Sequence, residues 1–423
     1  MKRVLICMAL ITLVGIAVAG CKPAPGLGPA PAPAPTKTLD IGVITSLTGS
    51  VAFLGTHLQN AILLAIDDHN KGILIEKDSQ NSEGGVTIAG QKYMLNGIIL
   101  DTKLDLVVSK SVAEQLIFDK GVKVIAGPFL FDAIGAQTVT EPNKVILFAL
   151  VPSLPGLASP NKPYTFFCAG GPQELTVTGA AYIQKFYPEL KTVASMNPDL
   201  PSLPAWVSSA EVIFPRYGLE WLGLEKFPYD AKDFSPAISR VLAKKPDIVD
   251  TAGTAGDMGG LCALLIKQIR EAGFNGVIMA RTSPPIPVMM EVVPEKYRTK
   301  IVTSDILVES PIVSQAYKDM YQRYADKFGE PPIDVVGEVY NAVKAFFEFL
   351  DGQDTLDTTA WMEGFAKYHW QGIWGTESFW VGKPLFGVDR VTIWGFWTSE
   401  YIDGKPETRW AAPVLWDLWV EQK

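Results

Sequence analysis

Arg281 stands one residue past an apolar, strand-like run, Gly276–Ala280, and Thr282 follows it. A guanidinium is a planar donor fork that matches a carboxylate, so an arginine at this place can hold an anionic head group or make a rim salt bridge. Phe129-Leu130-Phe131-Asp132 follows another apolar run, Val122–Ala126. Phe129 and Phe131 offer apolar area to a ligand or to the core, and Asp132 is placed either to cap the next helix or to meet a ligand. Catalytic patterns are missing. His57, His69 and His369 stand apart with no Cys or His at metal-ligand spacing, and His57 and His69 are expected at the surface or its boundary. The sequence has no Gly-x-Ser-x-Gly elbow, His-Glu-x-x-His helix or Walker loop. Gly253-Thr254-Ala255-Gly256-Asp257-Met258-Gly259 has the wrong spacing for a dinucleotide loop. Asp67-Asp68 falls at the end of a helical pattern, where neighbours point different ways, and reads as a solvated pair. Binding, without enzyme activity, metal or cofactor, is the expectation.

The ends of the chain set the compartment. Lys2 and Arg3 precede an apolar run to Ala19, and Val18-Ala19-Gly20-Cys21 resembles a bacterial lipoprotein cleavage site. That resemblance implies diacylation of Cys21 and removal of residues 1–20. The run is short of the roughly 20 residues a membrane span needs. Residues 21–37 are rich in Pro and Ala and read as a stiff polyproline-like tether. The expected location is extracytoplasmic, with the membrane touched through the lipid alone. Losing Lys2 and Arg3 moves the net charge from −8 to −10, and no basic block remains to attract nucleic acid. The 423 − 20 = 403 remaining residues suit two domains better than one core. Of the cysteines left, Cys262 sits in an apolar helical run and reads as a buried thiol; its pairing with Cys168 is open.

Strand-like and helical runs alternate from Leu39 onward. Leu39–Ile44, Tyr93–Asp101, Val122–Ala126 and Val145–Leu150 are predicted strands, separated by helices over His57–Asn70 and Leu104–Asp119. The cycle repeats through Gln173–Phe186, Thr192–Ser195, Trp206–Tyr217, Glu220–Phe227, Phe234–Ala243, Asp247–Thr251, Met258–Ala272 and Gly276–Ala280. Such alternation predicts an α/β fold of parallel sheets covered on both faces, and about ten units are too many for one compact sheet. Ile301–Leu307, Val313–Phe328 and Val335–Leu350 add a strand and two helices. The Trp-rich stretch Gly372–Trp397 suggests antiparallel strands whose indoles serve packing.

Ile41-Gly42-Val43-Ile44-Thr45-Ser46-Leu47-Thr48-Gly49, Leu54-Gly55 and Ala65-Ile66-Asp67-Asp68-His69-Asn70 resemble the start of type I periplasmic binding proteins of the leucine/isoleucine/valine-binding kind. Val124-Ile125-Ala126-Gly127-Pro128, Asp233-Phe234-Ser235-Pro236-Ala237-Ile238, Pro246-Asp247-Ile248-Val249 and Val339-Tyr340-Asn341-Ala342-Val343 continue the likeness in order. The resemblance implies two doubly wound α/β lobes joined by a three-crossover hinge. It also implies a monomer that delivers a small molecule to the permease and ATPase of an ABC importer. The expected lobes are 38–160 with 283–355 and 161–282 with 356–423. A tethered sensor working through a separate membrane partner is the alternative.

Ligands of open α/β sheets bind beyond the strand carboxyl ends. The candidates are therefore Leu54, Phe129, Phe131, Asp132, Ser153 and Leu154 in the first lobe, and Asn197, Ser202, Thr254, Arg281 and Thr282 in the second, with Trp206 also able to line the cleft. Amino-acid binders of the family carry a hydroxyl-rich turn where this chain has Pro128–Ala133, and an acidic residue where it has Arg281. An ammonium beside an unmatched arginine would cost several kcal/mol. The expected ligand is thus an aromatic or aliphatic carboxylate rather than a branched-chain amino acid.

Overall fold

The computed structural model describes residues 36–49, 51–75, 83–253, 260–282, 284–304, 306–393 and 397–411. The expected signal segment, Cys21, the tether up to Pro35, Thr254 and Trp394 lie outside them. The chain runs through β1 (Lys37–Thr45), α1 (Ala52–Asn70), β2 (Val86–Ile88), β3 (Gln91–Asp101), α2 (Leu106–Glu114), β4 (Val124–Ala126), α3 (Phe131–Thr140), β5 (Ile146–Ala149) and β6 (Thr165–Phe167). It continues through α4 (Pro172–Phe186), β7 (Thr192–Pro198), α5 (Leu203–Arg216), β8 (Glu220–Phe227), α6 (Ser235–Ala243), β9 (Ile248–Asp250), α7 (Gly260–Glu271), β10 (Val277–Ala280), α8 (Ile286–Val292) and β11 (Ile301–Thr303). Helices α9 (Gln315–Phe328), α10 (Asp334–Leu350) and α11 (Thr358–Phe365) follow. The remainder is β12 (Trp370–Gln371), β13 (Glu377–Val381), α12 (Lys383–Phe386), β14 (Val391–Ile393), β15 (Trp397–Ile402) and β16 (Lys405–Ala411).

Two sheets result, with orders β12-β13-β14-β6-β5-β4-β1-β3-β2 and β16-β15-β11-β10-β9-β7-β8. Their centres are parallel: β3-β1-β4-β5-β6 in the first and β8-β7-β9-β10-β11 in the second. Every residue of β4, β5, β9 and β10 is buried, as strands covered on both faces must be. Antiparallel strands are confined to the flanks: β2, the β13–β14 pair, and β15–β16. Trp370, Trp374, Trp380 and Trp397 are buried in the first core, where Trp380 packs edge-on to Phe166 and Phe365. The expected packing role of the stretch Gly372–Trp397 holds for Trp374, Trp380 and Trp397.

The chain crosses between the sheets three times, from β6 to β7, from β11 to the helices and strands of the first lobe, and from β14 to β15. The sheets divide the sequence differently from the expected segments. β6, past residue 160, belongs to the first sheet; β11, within 283–355, belongs to the second; and β12–β14, within 356–423, return to the first. β14 lies parallel to β6 at Phe167, and β15 lies antiparallel to β11; these pairings, invisible to βα alternation, set the division.

Local chemistry sets the helix boundaries. Asp105 caps α2 by accepting from the amides of Val107 and Val108, and Ser314 caps α9 through Tyr317 N. α1 is covered by the sheet on one side and by α9 and α10 on the other. For that reason His57 and His69 are buried rather than at the surface. His57 Nδ1 lies 2.6 Å from the Tyr324 hydroxyl, and His69 Nδ1 lies 3.1 Å from Lys344 Nζ. Burial, helped by the Lys344 charge, lowers the His69 pKa to about 3. Asp68 is also buried, accepting from Arg323 Nε at 2.9 Å and the Tyr340 hydroxyl at 2.7 Å; only Asp67 fits the solvated reading. Cys168 and Cys262 are buried free thiols.

Candidate functional site

Both sheets carry the strand order in which the second parallel strand falls on one side of the first and the third on the other. Loops after β1 and β4 therefore diverge, as do those after β7 and β9, and each divergence opens a crevice at the strand carboxyl ends. The first crevice is bounded by the loop after β1, the start of α1, and Phe129–Phe131. Neither α1 nor α3 has a side-chain cap: their N-cap residues are Val51 and Leu130, the latter at φ 47°. Backbone carbonyls take part of this role: Ala52 N donates to Gly49 O at 3.3 Å and Asp132 N to Phe129 O at 3.0 Å. Phe129 is half-buried against the first core, and Phe131 half-buried against a cluster spanning both sheets. Ser153 is buried beside the first crossover, where a Cβ on Gly171 would lie 3.4 Å from its Oγ and 3.2 Å from Val151 Cβ. Gly171 has φ 66°, so glycine suits this turn on both counts. Leu54 and Leu154 are core residues that back this wall.

Asp132 does not cap α3. It lies in the first turn, fully buried, and its Oδ2 accepts the hydroxyls of Ser46 (2.8 Å) and Thr102 (2.5 Å). It thereby ties the loops after β1 and β3 to the start of α3. Burial raises its pKa to about 6, the two hydroxyls pull the other way, and Asp101 and Asp105 add like charge.

In the second lobe, Asn197 at the end of β7 is 1% exposed, and its Oδ1 has no partner among the described residues. Gly253, at φ 68°, passes so close that a Cβ there would come within 2.6 Å of that oxygen and 3.0 Å of Trp206 Nε1. Ser202 and Thr282 are half-buried; Ser202 starts α5 without a side-chain capping bond.

Arg281 departs from expectation. The register that pairs Met279 with Asp250 puts Asp250 on the strand next to it, and the guanidinium turns back onto that carboxylate. Nε donates to Oδ1 and Nη2 to Oδ2, each at 2.7 Å, while Nη1 donates to Thr176 on α4. Ser195 Oγ also donates to Asp250, and Trp221 Nε1 to Ser195. The guanidinium lies 4.8 Å over the Trp206 ring and is 3% exposed. The fork expected to hold a ligand carboxylate is thus occupied from within, and Arg281 positions Trp206 and α4. The cavity beside it, lined by Thr178, Gly179, Thr303, Ser304 and Thr398, offers about 20 Å³, room for one water.

Three acids near the first crossover escaped the sequence reading. Glu174 lies in the first turn of α4, with Asp334 and Glu338 in the first turns of α10. Burial raises the Glu174 pKa to about 8 against the pull of the Gly170 amide. Burial, then the charges of Asp334 and Glu174, lifts Glu338 well above the carboxylate range. The available signal was Gly170-Gly171-Pro172, a helix start directly after a strand that changes lobes. Among the described residues, no group of three or more His, Cys, Asp or Glu side chains could hold a metal ion.

The sequence matches the periplasmic binding protein family over residues 38–383. It is 24% identical over 242 residues to a Leu/Ile/Val-binding protein of Rhizobium johnstonii, a match spanning 57% of this chain and 60% of that relative's length. The fold is similar to that of an ABC-transporter solute-binding protein from Rhodopseudomonas palustris BisB5 in complex with 3,4-dihydroxybenzoic acid. The TM-score is 0.67 at 20% identity, covering 89% of this chain and 98% of that one. It is similar too to a branched-chain amino acid transporter substrate-binding protein from Streptococcus pneumoniae in complex with isoleucine, with TM-score 0.66, 19% identity, and coverage of 89% and 99%. With its two doubly wound lobes, three crossovers and a family match across most of its length, the chain belongs to the periplasmic binding protein family.

Proposed function

We propose that this protein is the extracytoplasmic solute-binding component of an ABC importer, presenting its ligand to the permease and anchored through Cys21. The observation that carries this reading is the strand order of the two sheets, each with a switch point at its strand carboxyl ends and the two joined by three crossovers; walls of that kind bury a small molecule only when both meet it. The ligand carries a carboxylate and an aromatic or aliphatic body. The carboxylate goes to the positive ends of α1 and α3, whose N-cap residues bring no side-chain bond, and the body lies between Phe129, Phe131 and Trp206. Relatives of the same fold support this class, since one holds 3,4-dihydroxybenzoic acid and another isoleucine. With Arg281 neutralised by Asp250, the electrostatic argument against an amino acid loses its force. A thermal-shift screen of benzoates, phenyl- and alkyl-carboxylates and apolar amino acids tests it. At least one chemical series should raise Tm in a saturable way; no response from any of them would overturn the assignment.

A further inference from the structure

Three consecutive polar side chains of β15 are buried. Ser399 Oγ lies 2.8 Å from Thr408 Oγ1, and Glu400 accepts from the hydroxyl of Tyr182 on α4 at 2.7 Å. Thr398, 2% exposed, has no partner for its hydroxyl among the described residues. Side chains alternate along a strand, so Thr398 shares the face of Glu400 and is turned to α4. On that helix Thr178 lies one turn before Tyr182, just as Thr398 lies two residues before Glu400. The bond between Tyr182 and Glu400 therefore brings Thr178 opposite Thr398. β11 completes the arrangement, because the register that pairs Thr303 with Ser399 sets Ser304 beside Thr398. All three residues line the cavity of about 20 Å³, together with the apolar Leu175, Met279 and Val302. Thr178 donates its hydroxyl to Glu174 O at 3.0 Å and Ser304 donates to Arg281 O at 3.2 Å, so each oxygen keeps lone pairs with which to accept.

We propose that one ordered water occupies this cavity as a fixed part of the hinge. A buried water needs two to four polar partners and roughly 10–15 Å³ of space, and the cavity supplies both. The water accepts the Thr398 hydroxyl and donates its own two O–H groups to Thr178 and Ser304. Without it the Thr398 hydroxyl would be desolvated and unbonded, a greater penalty than immobilising one water. Its position gives it a role. α4 follows the crossover from β6, Ser304 begins the crossover that leaves β11, and β15 receives the crossover from β14. A single molecule thus joins the second-lobe ends of all three crossovers and holds them at a fixed spacing while the lobes turn. The inference rests on the fold and stands whichever ligand the crevice takes.

High-resolution diffraction from crystals of the ligand-free protein tests this first. Density for one oxygen should lie within about 3 Å of Thr178 Oγ1, Ser304 Oγ and Thr398 Oγ1. A cavity with no density there would overturn the proposal. Thr398→Val adds a sign test in solution, because valine keeps the shape of the side chain and removes only the hydroxyl. An unbonded hydroxyl is better removed, so a dry cavity predicts a higher Tm for the variant. A hydroxyl that anchors a water is better kept, and the proposal predicts a Tm lower by roughly 2 °C or more. Crystals of Thr398→Val should lose the water, whereas Thr398→Ser, which retains the donor, should keep it in place. A Tm that rises in Thr398→Val, or a water that stays unchanged without the hydroxyl, would overturn the assigned bonding.

Discussion

Asp250 and Glu174 are carboxyl groups buried to a similar degree in the second lobe and at its entrance, and they live in opposite circumstances. Asp250 accepts two hydrogen bonds from Arg281 and one from Ser195, so its charge is matched by a cation and by geometry. Among the described residues Glu174 has one backbone amide as partner and its Oε1 none, and burial raises its pKa to about 8. A matched buried charge is architecture: it fixes β9, β10 and α4 in one arrangement and has nothing left for a ligand. An unmatched one stores an unfavourable state, and displaced pKa values of this kind gather at functional sites. The lesson reverses the natural first guess, in which the arginine attracts attention and a glutamate in a first helical turn does not.

The comparison breaks most sharply at Asp250. Asp250→Ala strands Arg281 without a counter-charge and should cost roughly 3–5 kcal/mol in denaturant melts. The double variant Asp250→Leu/Arg281→Leu should recover much of that loss, since a buried pair replaced by apolar side chains is often neutral. A double variant as unstable as the single one would mean that Arg281 contributes through Trp206 and Thr176 rather than through charge.

Glu174 should behave in the contrary way. Its folded pKa lies above the ordinary carboxylate value, so the folded state holds the proton more tightly from about pH 4.5 to 8 and the empty protein loses stability across that window as pH rises. Glu174→Gln, which cannot ionise, should gain on the wild type by roughly 3–5 kcal/mol between those limits. Equal pH slopes for the two proteins would refute an unmatched acid. Asp132 offers a milder version of the same test. Its window runs from about pH 3.8 to 6, and Asp132→Asn should flatten the slope there by roughly 2–3 kcal/mol. The smallest effect belongs to the exposed end of α1: Asp67→Asn removes contacts to Lys71 and Lys327 and should shift stability by less than about 1 kcal/mol.

Much of the fold was legible because parallel strands and their helices write a repeating pattern into the chain. β4, β5 and β10 are continuous apolar runs, β9 is one up to Asp250, and loops follow them directly. Phe129, Ser153 and Asn197 are candidates by that rule. Lobe boundaries were not, because β11 and β14 choose their sheets by pairing with distant strands, which no local pattern encodes. Arg281 was misread for the same reason: its partner, Asp250, is on the neighbouring strand, 31 residues away. His57, His69 and Asp68 were placed too near the surface because a helix covered by other helices as well as by a sheet loses its polar face. Glu174 escaped notice because nothing in its local segment announces that its side chain is buried.

Closure of the two lobes over a ligand is the central claim, and small-angle scattering measures it directly. A chain beginning at Ala34 and saturated with an acid that raises Tm in the screen should have a smaller radius of gyration than the empty protein, because the ligand joins crevice walls that belong to different sheets. A scattering profile unchanged at saturation, alongside a raised Tm, would place the ligand somewhere other than between the lobes.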